Sequence, residues 1–95
     1  MDKQGGAADE RLSLMNGRDL RAQCVELLLG LGLRSLAAKV RVVWNARLRS
    51  TAGRAWIRES RIELNPRLAE FGMDQVRVTL LHELAHLVAH ERHSG

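Results

Sequence analysis

The chain has 95 residues, 45% hydrophobic and 27% charged, with a net charge of +4. That is one domain with a small core, burying about two-thirds of the surface its unfolded form exposes, and the composition excludes a chain disordered throughout. One cysteine, Cys24, excludes an internal disulfide, and the longest apolar run, Leu27 to Leu33, is broken by Gly30 and Gly32 far short of a membrane span, so a cytoplasmic protein with no membrane partner is expected.

Met1 to Glu10 is rich in Gly and Asp and reads as a mobile tail, so residues 1–15 are set apart from a domain over 16–95. Asn16 is placed to cap a helix, with Asp19 in its first turn. From Arg18 to Leu29, Leu20, Cys24, Leu27 and Leu28 recur at helical spacing, and Gly30 and Gly32 close the element. Cys24 in this setting reads as a buried small hydrophobe, not a reactive thiol. Ser35 to Lys39 adds a short turn. Val40 to Trp44 reads as a strand, with Val40, Val42 and Trp44 alternating with Arg41 and Val43.

A polar, basic stretch from Asn45 to Ala52 leads to a second strand over Gly53 to Arg58. Glu59 and Ser60 connect it to a third, Arg61 to Leu64, whose alternation is clean. Asn65-Pro66 reads as an N-cap followed by proline at the first helical position, giving a short helix over Arg67 to Phe71 that Gly72 ends. Asp74 is a good cap for a final helix running to about Glu91. The sum is an α+β domain: an N-terminal helix, a three-stranded antiparallel sheet, a short helix and a C-terminal helix.

The final helix carries His82-Glu83-Leu84-Ala85-His86, a His-Glu-x-x-His pattern. A spacing of four puts both imidazoles on one face, one turn apart, where they can hold one metal ion. Glu83 is then placed to take a proton from a metal-bound water. With four His and seven Glu in the chain, chance would produce the pattern in roughly one such chain in a hundred. Val76, Leu80, Leu81, Leu84, Ala85, Leu87 and Val88 predict a helix buried around most of its circumference, broken by a polar stripe of Thr79, His82, Glu83, His86 and His90. Imidazole ligands and a tetrahedral site suit zinc. The alternative is that His82 and Glu83 pair with polar groups of the sheet. Only His82 and His86 are secure as ligands. His90 lies two turns beyond His82, and His93 reaches back only if the chain turns sharply through Arg92. The extended motif with a third histidine requires glycine at Ala89 and histidine at Arg92, and neither matches.

The net charge conceals an asymmetry. Arg34 to Arg67 carries a net +7 and the rest of the chain −3. Such a segment can face nucleic acid phosphates. It can equally be a solvated sheet face, and no aromatic residues interleave with the arginines as a stacking platform would need.

From Leu31 to His86 the sequence resembles the SprT-like metalloprotease domains, which include the Spartan proteases of eukaryotes. The matching blocks are Val42-Val43-Trp44-Asn45 with Arg47-Leu48, Thr51-Ala52-Gly53, Ile62-Glu63-Leu64-Asn65-Pro66-Arg67-Leu68, and Thr79-Leu80-Leu81-His82-Glu83-Leu84-Ala85-His86. The resemblance implies a compact zincin-like fold in which His82 and His86 are zinc ligands and Glu83 is the general base. It also implies that the strand Arg61 to Leu64 lies beside the cleft, where an extended substrate pairs with its backbone. The family's third histidine sits in a His-Gly setting further along. This chain has no His-Gly pair and ends nine residues after His86, so a C-terminally incomplete member is expected, with the third ligand either His93 or a residue absent from the chain.

The expected function is a zinc-dependent metallopeptidase acting on protein or peptide substrates, including proteins associated with DNA, as the resemblance to the eukaryotic members implies. The alternative is a catalytically incomplete zincin scaffold that binds DNA through its basic 34–67 segment.

Overall fold

The computed structural model describes residues 17–94, with side chains through His93. The proposed tail and the Asn16 cap lie outside the described residues.

Helix α1, Gly17–Gly30, buries Leu20, Cys24 and Leu28, one residue per turn, against the sheet. Burial pushes the Cys24 thiol up to about 11 against the opposing pull of Arg21, so it is an inert core residue. The helix ends in a Schellman turn. Leu33 N–H donates to the Leu28 carbonyl at 2.9 Å and Gly32 N–H to Leu29 at 3.0 Å, with Gly32 at φ 77°, a conformation that favours glycine. Helix α2, Arg34–Lys39, buries Leu36 and Ala37. Arg21 ties it to α1, donating from Nε to the Val40 carbonyl at 2.8 Å and from Nη2 to Ala37 at 3.3 Å.

Three four-residue strands follow: β1, Arg41–Trp44; β2, Gly53–Trp56; and β3, Arg61–Leu64. The sheet is mixed, not antiparallel as expected. Its order is β1-β3-β2, with β3 parallel to β1 and antiparallel to β2. The reason lies in residues 45–52, which carry the chain past the end of β3's position, so that the β2–β3 hairpin folds back and inserts β3 in the middle. Asn65 holds this crossing in place. Its Nδ2 donates to the Leu48 and Thr51 carbonyls at 3.1 and 3.2 Å, its backbone N–H donates to Ala52 at 2.8 Å, and its Oδ1 accepts from Arg67 N–H at 3.0 Å. That last bond is the expected N-cap, and it opens a tight 3-10 helix, Pro66–Phe71.

Helix α3, Met73–Ser94, completes the domain, with Asp74 in its first turn and not at its cap. The core lies between the helices and one sheet face, where Val42, Ile62 and Leu64 meet Leu20, Leu28, Val76, Leu80, Leu84 and Leu87. Helix α3 is not buried all round. It sinks one face only, and Val78, Leu81, Ala85 and both motif histidines are exposed, because the small sheet covers a single side of it. Leu27, Leu31 and Leu81 are about half exposed and line an apolar groove between α1 and α3. No helix among the described residues is long and apolar enough to cross a membrane.

Candidate active site

The one-turn offset of His82 and His86 on α3 brings their rings to 4.9 Å between centroids at an interplanar angle of 88°. Both rings are exposed, at the border between the helix's buried and solvent faces, while Glu83 beside them is buried at 8% exposure. The expectation of a helix buried around most of its circumference therefore fails at both rings, and of the three groups Glu83 alone is buried.

A cleft runs between α3 and β2, with Glu83, His86 and His90 on the helix side and Gly53, Ala55 and Ile57 on the strand side. His90 was set aside in the sequence because of its distance from His82. A period of about 3.6 residues nevertheless keeps positions 79, 83, 86 and 90 on one side of the helix, a signal that was present in the spacing. Gly53 allows the close approach of the two walls. A β-carbon there would lie 3.0 Å from the Thr79 methyl and 3.1 Å from the Glu63 carbonyl oxygen.

The strand bordering the cleft is β2, which corrects the expectation for Arg61 to Leu64. That segment is β3, flanked on both sides by other strands, so its backbone groups are spent within the sheet. Along β2, the Ala52–Asn65 bond sets the alternation. Positions 52, 54 and 56 bond toward β3, and the N–H and C=O groups of Gly53 and Ala55 point to the sheet's other side, along the cleft edge.

Helix α3 continues straight through Ser94, so His93 sits about 10 Å along the axis beyond His86 and does not return to the motif. Among the described residues, no group of three or more His, Cys, Asp or Glu is arranged to hold a metal ion. His82 and His86 are the two imidazoles that the motif brings together on α3.

Five arginines of the basic segment gather in two places. On the outer sheet face the Arg54 and Arg61 guanidinium groups lie over the Trp56 ring, 4.8 and 5.3 Å from its centroid, so an aromatic does interleave with arginines here, but with its ring already engaged. Beneath them, burial would raise the Glu63 pKa, but hydrogen bonding to Asn45, Trp56 and Arg61 and the Arg61 charge hold it below the usual carboxylate range. Asn45 Nδ2 donates to Glu63 Oε1 at 3.0 Å and Arg61 Nε to Oε2 at 3.2 Å, whereas the buried Trp56 indole N–H falls short of full hydrogen-bond geometry. Arg47, Arg49 and Arg67 gather instead at the 45–52 loop.

The SprT-like family model matches residues 22–94, and the chain belongs to that family. It is 44% identical over 45 residues to the protein SprT-like of Streptococcus suis, a stretch covering 46% of this chain and 31% of that one. Against the protein SprT-like of Streptococcus pneumoniae serotype 4 it is 44% identical over 46 residues, 47% of this chain and 31% of the relative. The protein SprT-like of Lysinibacillus sphaericus is 40% identical over 53 residues, 55% of this chain and 35% of its own length. The match thus spans about a third of these curated relatives. No solved structure matches the chain.

Proposed function

We propose that this domain is a zinc-dependent metallopeptidase of zincin type. The observation that carries the reading is the juxtaposition of Glu83 and His86 with the Gly53–Ala55 edge of β2 across one cleft. An extended peptide would add to β2 as a further strand, pairing with the outward groups of Gly53 and Ala55, and this would hold its backbone against α3. His82 and His86 would supply two zinc ligands, with the third donor coming from outside the described residues. When bound, zinc would supply Lewis-acid polarisation of the substrate carbonyl and an acidified water.

The remaining work falls to the chain. Glu83 takes the proton as the water oxygen attacks the carbonyl carbon, and delivers it to the amide nitrogen as the C–N bond breaks. Burial beside the β2 wall restrains its carboxylate, while its cleft-facing side stays open to substrate. The peptide or protein substrates and a cytoplasmic setting are part of this proposal.

The second reading, a non-catalytic DNA-associated scaffold, draws on the +7 charge of residues 34–67. Arg54 and Arg61 are engaged at Trp56, and Arg47, Arg49 and Arg67 converge on one concavity and form no track, so the peptidase reading is preferred. DNA-associated proteins remain a proposed substrate class. The first test is zinc content by elemental analysis with proteolysis measured alongside. His86→Ala should lose both. Zinc retained at the wild-type level in that variant would remove His86 from the site.

A further inference from the structure

We propose that Arg47, Arg49 and Arg67 form a subsite for the carboxylate of an acidic residue in a peptide lying along β2. The occupant rests on the peptidase reading; the site itself rests on three features of the fold.

First, the three arginines line one concavity with Ala46 and Leu48, and no acidic residue shares it. Among the described residues, none of the three guanidinium groups has an ion-pair or hydrogen-bond partner. Like charges gathered without a counter-ion repel, and a carboxylate placed among them relieves that repulsion while accepting bidentate hydrogen bonds.

Second, the backbone that presents them is fixed. Asn45 Oδ1 accepts from Arg47 N–H at 2.9 Å, closing the turn that begins the loop. The buried Asn65 amide holds the Leu48 and Thr51 carbonyls, and its Oδ1 accepts from Arg67 N–H. One side chain thus pins the loop and sets the residue that faces it across the concavity.

Third, the loop that lines the concavity leads directly into the strand that lines the cleft. The loop ends at Ala52, whose carbonyl is bonded to Asn65, and the next residue, Gly53, already lines the cleft. A neighbouring hollow lined by Arg49, Ala52, Arg67 and the exposed Phe71 continues from that point. At about 3.3 Å per extended residue, a peptide running from beside Ala55 past Gly53 reaches the arginines about three to five residues from the bond opposite Glu83.

A single-stranded nucleic acid is the competing ligand. It calls for basic groups spread along a backbone and for open aromatic faces. Here the arginines converge on one point and the Trp56 ring already carries Arg54 and Arg61, which favours a single carboxylate.

The test is fluorescence anisotropy on the 95-residue chain, with labelled peptides of about ten residues that are uncharged apart from one Glu at varied positions, beside their Gln counterparts. The best Glu peptide should bind roughly tenfold tighter than its Gln partner, and the advantage should shrink as salt is raised. R49E and R67E should each erase it. Both positions are exposed, so the fold is retained. Equal binding of every Glu and Gln pair overturns the inference. So does a single-stranded oligonucleotide that binds tighter than the best Glu peptide and loses that affinity in R49E. Failure of the peptidase reading is separable, because binding is read without turnover. A Glu preference with no hydrolysis by zinc-loaded protein leaves the subsite standing, whereas hydrolysis without the preference removes the subsite alone.

Discussion

Gly53 and Thr79 touch where β2 meets α3: a β-carbon on the glycine would stand 3.0 Å from the threonine methyl, with the Glu63 carbonyl oxygen at 3.1 Å and Leu64 Cδ2 at 3.2 Å. Two of these neighbours are side chains that can give slightly, but the third is backbone of the central strand. Gly53→Ala should therefore cost about 1–2 kcal/mol and Gly53→Val more, read as a lowered urea midpoint at unchanged slope. Full wild-type stability in Gly53→Val would show that the helix and strand are not held at this separation.

Asn65 joins three pieces of chain through one buried amide. Asn65→Ala strands the Leu48 and Thr51 carbonyls and removes the N-cap, with an expected loss of about 2–4 kcal/mol. Asn65→Asp should also destabilise, since an ionised carboxylate accepts hydrogen bonds but cannot donate to those carbonyls. Hydrogen exchange should show the 46–52 amides losing protection in both variants. Unchanged exchange there would remove Asn65 as the fastener of the loop.

Much of this architecture was legible in the residues, for local reasons. Alternation found β3, Asn65-Pro66 announced the cap, and the glycines at 30 and 32 marked the end of α1. Strand order was not legible, because period-2 alternation tells which face a residue takes and nothing about its neighbours. The resemblance implies β3 at the cleft edge, whereas the strand order puts β2 there. The exposure of His82, His86 and Leu81 was missed for a related reason: an apolar-rich helix is buried only as far as its partners extend, and a three-stranded sheet covers one side. The arginine cluster depends on contact between residues 47, 49 and 67 across a crossing loop, which composition shows only as net charge.

Glu63 gives the domain an acid-sensitive contact. Burial works against its charge, but Asn45, Trp56 and Arg61 outweigh that and lower its pKa from the ordinary 4.5. The folded carboxyl thus holds its proton more weakly than the unfolded one. Its stabilising contribution is present in full above the unfolded pKa and is lost as pH falls through the folded value. Urea titrations from pH 6 downward should show Glu63→Gln less stable than wild type near neutrality, with the gap closing below about pH 4. A gap that stays constant with pH would mean that the carboxylate charge plays no part.

His93 should not matter to metal binding. Its place two turns past His86 on an unbroken helix keeps it from sharing an ion with the motif. Zinc content in His93→Ala should equal that of wild type. Loss of zinc in that variant would mean that the end of α3 unwinds to bring the ring back.

Glu83 is the residue on which the proposed hydrolysis depends most directly. Its carboxylate is assigned the proton transfer and His82 and His86 the metal, so Glu83→Gln separates the two roles. Hydrolysis of an unstructured protein such as casein by zinc-loaded protein should fall at least ~10³-fold in Glu83→Gln, with bound zinc unchanged. Wild-type hydrolysis in that variant, at equal zinc content, would contradict the assignment.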